Sequence, residues 1–166
     1  EQIFDAGLVM NGVMADNERD FRRFWQYREG VAESILHDHD VHQEDVSVPI
    51  ASLGEFYSTA HARYAQAFPQ FKVFFFGHIG DGNLHIFIQK PAKMSREDFV
   101  RDSKASDLEL FKVLAQFKGS VSAEHGIGLL KKNALGFTRS AVEIELMRGL
   151  KKVFDPKGLL NPGKVI

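Results

Sequence analysis

The chain has 166 residues, 44% hydrophobic and 26% charged, which is the composition of an ordinary globular protein with one sizeable core. Its formal net charge of −1 excludes the overall basic field that recruits nucleic acid or an acidic membrane. Because the chain contains no cysteine, disulfides and thiolate metal sites are excluded, and any metal must be held by His, Asp or Glu.

The first part of the chain predicts helices separated by short polar segments. Residues 1–10 have a helical pattern, and residues 12–15 after Asn11-Gly12 predict a short strand. A second helix begins after Asp16 or Asn17, which can cap it, and ends near residue 37. Residues 37–45 predict an irregular loop, residues 45–48 a strand that stops at Pro49, and residues 52–68 a helix. We interpret the histidines of the loop as exposed and without partners.

The second part combines a hairpin with longer helices. Residues 71–77 and 84–89 predict two strands joined by a tight turn. Ser95 caps a helix over residues 97–118, and a short strand follows at 120–123. Helices are predicted at 129–135 and 140–154, before a turn-rich tail. The pattern predicts an α+β fold, in which helices pack on one face of a small antiparallel sheet.

The hairpin stretch GHIGDGNLH, residues 77–85, contains a candidate metal site. With the turn centred on Asp81-Gly82, His78 and His85 lie roughly opposite each other and project to the same face, with Cβ atoms ~5 Å apart. Two imidazoles at that separation can hold one divalent ion. The alternative is a surface hairpin that happens to contain histidine.

The stretch SAEHGIG, residues 122–128, offers a third ligand. Neighbouring residues of an extended segment point to opposite sides, so Glu124 can complete a His–His–Glu site while His125 faces a neighbouring pocket. Three protein ligands with open positions are typical of a catalytic metal. The alternative is a polar strand end that bonds to its own turn.

Two further features are weaker by themselves. In PKGLLNPGK, residues 156–164, Asn161 precedes a proline, which favours an extended backbone and leaves its amide free to bond outward. In WQYRE, residues 25–29, Arg28 can bind a carboxylate with two hydrogen bonds, although a solvated helix charge is the alternative.

Taken in order, GHIGDGNLH, SAEHGIG, a helix and DPKGLLNPGK resemble the C-terminal region of the FAD-linked oxidases. The resemblance is to the vanillyl-alcohol-oxidase-like flavoproteins, in the branch that contains D-lactate dehydrogenase, the glycolate oxidase catalytic subunit and D-2-hydroxyglutarate dehydrogenase. It implies that residues 1–125 are part of a substrate-binding cap and that residues 126–166 return to a flavin-binding domain, which is absent here. Because the chain also begins with Glu1 inside a helical pattern, we expect a piece of a longer protein.

The resemblance also assigns roles to individual residues. It implies a divalent-metal site, with zinc expected, and FAD bound mainly by the missing N-terminal domain. His125 matches a histidine proposed as the base, and Arg28 matches an arginine that binds the substrate carboxylate. The implied metal ligands are His78, His85 and Glu124, and the implied positions near the cofactor are Asn83, Gly126 and Asn161.

Two positions depart from the hydroxyglutarate-type pattern. The lysine of a KxDxSxP motif is replaced by Gln43 in QEDVSVP, and a polar residue beyond the second histidine is replaced by Phe87. Both departures weaken the expectation of a second substrate carboxylate. They favour a smaller or more apolar 2-hydroxyacid.

The implied function is oxidation of a 2-hydroxyacid to a 2-oxoacid, with hydride transfer to flavin and assistance from a metal. The implied partners are the substrate, the flavin-binding domain and an electron acceptor of unidentified class. No nucleic acid is expected as a partner, and a homodimer is possible. The isolated fragment is expected to be inactive, and a free-standing metal-binding domain with a hydrolytic or regulatory role is the alternative. No apolar stretch approaches the ~20 residues of a membrane span and no signal peptide is evident, so we expect a cytoplasmic location, or one at a membrane surface through an electron-transfer partner.

Overall fold

The computed structural model describes residues 2–166, apart from the side chain of Ile3. The chain divides into two compact units, one up to His39 and one from Asp40 onward. Glu1, the start of the first predicted helix, lies outside the described residues. The predicted division after residue 125 stays a prediction.

The first unit contains two helices, α1 at Gln2–Asp5 and α2 at Glu18–Asp38. The side chain of Asn17 caps α2 by accepting a hydrogen bond of 2.9 Å from the Asp20 N–H, as the sequence predicted. The strand predicted at residues 12–15 is wrong. The described residues of this unit include no strand that could pair with it, and a strand without a partner leaves its backbone groups unpaired. In the described part of the chain, no helix has the length and hydropathy needed to cross a membrane.

The second unit is built on a three-stranded antiparallel sheet, and this confirms the predicted α+β class. The strands lie in the order β1-β3-β2, so β3 is the central strand. It pairs with β2, its partner in the hairpin, on one edge and with β1 on the other. Its elements are β1 Val41–Ser47, α3 Leu53–Ala67, β2 Lys72–His78, β3 Asn83–Gln89, α4 Arg96–Gln116 and α5 Ala141–Phe154, with 3-10 helices at Ile50–Ser52 and Lys132–Phe137.

The sheet has one face that builds the core and one face that does not. Side chains alternate along each strand, so Val46 of β1 and Ile86 of β3 share a face with neighbours two residues away. These side chains are fully buried in one apolar cluster with Phe56 of α3 and Leu114 of α4. The intervening residues, among them Asp45 and His85, therefore lie on the opposite face.

Three predicted boundaries are wrong for the same reason, which is that long-range contacts override local pattern. The loop predicted at residues 37–45 contains five of the seven residues of β1, because Val41 to Ser47 all pair with β3. The strand predicted at 120–123 is reduced to one bridge between Ser120 and Ser47. The helix predicted at 129–135 is replaced by the 3-10 helix Lys132–Phe137.

A buried ionic network joins β1 to α4 and to the segment before the 3-10 helix. His42 Nε2 lies 2.8 Å from Asp107 Oδ1, and the Lys131 ammonium lies 2.7 Å from Glu44 Oε2. Lys131 also donates to the carbonyl oxygens of Asp45 and Val121, at 2.9 and 2.6 Å. The prediction that His42 is exposed and without a partner is therefore wrong.

The histidine and carboxylates of this network also lie close enough together to hold a metal ion. Because the Lys131 ammonium already neutralises Glu44, we interpret the group as a structural ion-pair network. Burial lowers the pKa of His42, but the hydrogen bond and charge of Asp107 outweigh it and raise the pKa above its ordinary value. Burial, followed by the charge of Asp107, raises the pKa of Glu44.

The turn of the hairpin provides a test of the fold. Gly82 has a φ of +77°, and a Cβ built on it would lie 2.0 Å from the carbonyl oxygen of Val48. We expect Gly82→Ala to lower the free energy of unfolding by about 2 kcal/mol or more, because the backbone must shift. Gly80→Ala is the matched control, since a Cβ there meets nothing within 4 Å, and we expect a change within about 0.5 kcal/mol. Equal losses in urea unfolding would contradict this account.

His42 makes stability depend on pH. Since its pKa is raised in the folded state, its stabilisation is fully present below the ordinary value of 6.5 and is lost as the pH rises through the folded-state pKa. We expect His42→Gln to cost about 1–3 kcal/mol at acidic pH, and progressively less towards alkaline pH. Urea unfolding across this range measures the difference. The exposed His37, whose pairing in the described structure is with the neighbouring Asp38, serves as control, and His37→Gln should change the free energy of unfolding by no more than about 0.5 kcal/mol.

Candidate active site

His78 and His85 lie on the open face of the sheet, as predicted, but their register differs from the prediction. His78 pairs with Asn83, and His85 pairs with Phe76, so the two histidines are diagonal neighbours rather than directly opposed. The four-residue loop 79–82 centres the turn between Gly80 and Asp81, one residue before the predicted centre, so the partner of His78 moves by two residues, from His85 to Asn83. Their ring centroids are 5.4 Å apart and nearly perpendicular. The hairpin therefore brings the two imidazoles together.

Glu124 reaches the same place from a distant part of the chain. Its Oε1 lies 3.0 Å from His78 Nδ1 and accepts a short hydrogen bond from the side-chain amide of Asn83. Asn83 is 2% exposed, and within the described structure its Oδ1 has no hydrogen-bond partner. Asn83 therefore orients the Glu124 carboxylate, and this contact was not anticipated from the sequence.

The loop that carries Glu124 is wrapped around the carboxylate of Asp45. Asp45 Oδ2 accepts hydrogen bonds from three consecutive backbone N–H groups, those of residues 123, 124 and 125, at 3.0, 2.8 and 3.2 Å. Within the predicted strand 120–123, the N–H of Val121 donates to Thr138 Oγ1 at 2.9 Å and that of Ser122 to Ser120 Oγ at 3.4 Å, while the N–H of residue 123 goes to Asp45. Side chains therefore take the N–H groups that a strand would offer to a neighbouring strand, and this explains why residues 120–123 do not extend the sheet. Burial alone would raise the pKa of Asp45, but the N–H groups of Glu124 and His125 outweigh it and hold the pKa below its ordinary value.

His125 lies beside His85, with its side chain 65% exposed. The two rings are stacked, with centroids 6.3 Å apart and planes inclined by 25°. Its Nδ1 lies 3.8 Å from Asp45 Oδ2, so Asp45 stands close to both histidines. The alternation argument that placed Glu124 and His125 on opposite sides does not apply, because the segment is not an extended strand.

The remaining predicted residues lie in other parts of the chain. Arg28 is an exposed residue of α2 in the first unit, with its guanidinium 5.6 Å from the ring of Trp25. Gly126 has a φ of +78°, and its carbonyl oxygen accepts a hydrogen bond of 3.0 Å from the Ser122 hydroxyl. Asn161 contributes to a groove with Met147 and Leu150 of α5.

The backbone prediction for Asn161 is wrong. Its φ is +46°, in the left-handed region, instead of an extended value. The carboxylate of Asp155 accepts the N–H groups of Leu159 and Leu160, both at 2.9 Å, and turns the chain just before Asn161. Asparagine tolerates this conformation better than most residues.

Sequence reasoning missed Asp45 as a member of the site. The signal was present in QEDVSVP, where the motif was used only to note the departure at Gln43. Asp45 is 3% exposed, pairs with His85 in the sheet, and has its Oδ1 at 3.4 Å from His85 Nδ1. A carboxylate this deeply buried requires hydrogen-bond partners. The sequence motif does not identify them, because they are backbone N–H groups about 80 residues away in the chain.

The donor set fits a divalent metal. One ligand atom each from His78, His85 and Glu124 lie within 4.8 Å of one another. Two imidazoles and a carboxylate without thiolate suit zinc and similar ions, and three protein ligands leave positions for a substrate. The buried Asp45 Oδ1, which no donor bonds in the described part of the chain, faces the ring of one candidate ligand.

Comparison with known proteins gives consistent matches along the chain. A family model described as FAD linked oxidases, C-terminal domain, matches residues 1–165. A D-2-hydroxyglutarate dehydrogenase of Xanthomonas citri pv. viticola is 45% identical over 99% of this chain and 35% of its own length. A D-2-hydroxyglutarate dehydrogenase of Stutzerimonas stutzeri is 38% identical over 99% of this chain and 35% of its own length. A mitochondrial D-2-hydroxyglutarate dehydrogenase of Rattus norvegicus is 37% identical over 100% of this chain and 30% of its own length. The chain thus spans about a third of the length of these relatives.

Proposed function

Because the chain belongs to the FAD linked oxidases, as their C-terminal domain, we propose that it is the substrate-side part of an FAD-dependent dehydrogenase or oxidase of D-2-hydroxyacids. The observation that carries the proposal is the convergence of two histidines, a glutamate and a third histidine on the open face of the sheet. The dehydrogenase names of the relatives support the reaction class. The flavin-binding domain of the same protein is the proposed partner.

Two groups from outside the polypeptide complete this chemistry. When bound, FAD supplies the hydride acceptor, and a zinc ion supplies a Lewis acid that makes a bound hydroxyl more acidic. We propose His78, His85 and Glu124 as the ligands of the metal. We propose that Asn83, Gly126 and Asn161 lie on the side of the cofactor, in keeping with the family resemblance.

The proposed work of the chain is to position the substrate and to move one proton. Neutral His125 accepts the proton of the substrate hydroxyl as the hydride leaves the adjacent carbon. Its high exposure leaves the ring accessible to a ligand. Arg28 binds the substrate carboxylate through a planar pair of hydrogen bonds, a role that rests on the resemblance.

The neighbourhood of the candidate ligands favours a substrate with a small or apolar side chain. Gln43 of β1 pairs with Phe87 of β3. This pair lies on the same face as the pair of Asp45 and His85, two residues away along each strand. Phe76 contacts Phe87 edge to face, with ring centroids 4.9 Å apart. This row offers aromatic surface and a neutral amide, and neither neutralises a second carboxylate. We therefore propose a 2-hydroxyacid that carries a single carboxylate.

Metal binding can be tested with variants of the ligands. We expect His78→Ala and Glu124→Gln in the full-length protein to weaken zinc binding by at least about 100-fold, because each removes a direct ligand. Competition with a chelator of known affinity, followed by elemental analysis, measures the change. His61→Ala is the control, since His61 lies on α3 and contacts Tyr57 and Phe75, and it should bind zinc normally. Unaltered zinc binding in both ligand variants would refute this site.

The reaction can be tested through the flavin. On addition of a 2-hydroxyacid with one carboxylate, the full-length protein should lose its oxidised-flavin absorbance and release the 2-oxoacid. We expect His125→Ala to slow flavin reduction by about 10²–10⁴-fold, the usual contribution of a general base, while its zinc content stays normal. Flavin reduction at the wild-type rate in this variant would remove His125 as the base. Faster reduction by D-2-hydroxyglutarate than by monocarboxylates would contradict the proposed substrate class.

A further inference from the structure

We infer that Asp45 is a positioning residue that fixes which ring nitrogen of His85 and His125 is free to act. Asp45 lies on the open face in strand β1, directly paired with His85 of the central strand β3. Its Oδ1 is 3.4 Å from Nδ1 of His85, and its Oδ2 is 3.8 Å from Nδ1 of His125. The two imidazoles therefore present the same nitrogen to the two oxygens of one carboxylate. This inference rests on the proposed function for the use made of those rings.

The unpartnered oxygen of Asp45 determines the tautomer of His85. Asp45 Oδ1 is buried and accepts no hydrogen bond within the described structure, while Oδ2 already accepts three. A buried carboxylate oxygen without a donor is costly, and Nδ1 of His85 is the nitrogen that faces it. The proton of neutral His85 is therefore held on Nδ1. Nε2 then carries the lone pair that a metal requires.

The same carboxylate acts on His125 through its charge. The nearby Asp45 Oδ2 attracts a proton on Nδ1 of His125 more strongly than one on the more distant Nε2. Nε2 of His125 is then the basic atom that meets a substrate hydroxyl.

Asp45 also sets the position of Glu124. The three N–H groups that it binds belong to residues 123–125, so the backbone at Glu124 is fixed relative to β1. From there the Glu124 carboxylate reaches His78 at 3.0 Å. One side chain thus orients a proposed ligand, a proposed base and the loop of a second proposed ligand.

Asp45→Asn in the full-length protein tests the inference directly. The three N–H donors require the amide oxygen on their side, so the amide NH₂ must face Nδ1 of His85. A donor in that place favours the His85 tautomer protonated on Nε2, which leaves no lone pair on Nε2 for a metal and directs the remaining lone pair, on Nδ1, at residue 45. We expect ¹⁵N chemical shifts of histidine-labelled, metal-free protein at alkaline pH to show this switch, with His85→Gln used to assign the signal. Zinc affinity should fall by about 10–100-fold.

Asp155→Asn is the matched control. Asp155 is also a buried aspartate, 8% exposed, and it also binds backbone N–H groups, those of Leu159 and Leu160. In Asp155→Asn the amide NH₂ faces one of these N–H groups, because the two N–H groups bond to different oxygens, so this variant disturbs a backbone-binding carboxylate at least as strongly as Asp45→Asn does. Asp155 contacts none of the three histidines in the described structure. We expect the wild-type His85 tautomer and zinc affinity in this variant, even if its thermal stability falls. A tautomer switch in both variants would assign the effect to general loosening of the fold and would overturn the inference.

The wild-type protein provides a second measurement that needs no variant to fold. If neutral His85 carries its proton on Nε2 in the wild type, the inference is wrong. Retention of the wild-type tautomer and zinc affinity in Asp45→Asn would overturn it as well. If the wild type has the Nδ1 tautomer but binds no zinc, the proposed metal function fails while the role of Asp45 stands.

Discussion

The hydrogen bonds between the carboxylate of Asp45 and three consecutive N–H groups are the constraint on which the second unit depends. They attach the chain at residues 123–125 to strand β1 of the sheet, although the two segments are about 80 residues apart in sequence. Lys131 secures the same attachment from the other side by binding the carbonyl oxygens of Asp45 and Val121. The loop is thus held by part-buried polar contacts, and each contact replaces water that the backbone groups would otherwise need.

Strand β1 serves two different purposes on its two faces. Its core side carries His42 and Glu44, and its open side carries Gln43 and Asp45. Both sides have a histidine close to carboxylates, but the core cluster contains the Lys131 ammonium and the open cluster contains backbone N–H groups instead. A cluster neutralised by a lysine is a structural ion pair, whereas one in which a carboxylate orients imidazoles leaves their other nitrogens available. The difference lies in the neighbours rather than in the residue types.

Much of this could be predicted from the sequence, and the failures have physical causes. Helices α2 to α5 and the hairpin follow from periodicity and caps, which are local properties. The placing of His78 and His85 on one face also followed, since it depends only on alternation, but their diagonal register depends on a four-residue turn. Asp45 was missed, and the strand at residues 120–123 was wrong, because a hydrogen bond between a side chain and a distant backbone leaves no periodic signal. The resemblance supplied Glu124 and His125 where spacing alone left alternatives open.

The three proposed ligands come from two elements that are both anchored to β1. The hairpin is held by pairing along β3 and by the close approach of Gly82 to Val48, whose N–H donates to the Gly82 carbonyl at 3.0 Å. Glu124 is held by Asp45. Since both anchors lie within the second unit, the spacing of the ligand atoms is set by this unit's own hydrogen bonds. Preorganisation of this kind lowers the cost of assembling a site when the ligand arrives. It follows that this unit can shape the proposed metal and base positions by its own hydrogen bonds, whereas the proposed redox chemistry depends on a flavin held by the rest of the protein.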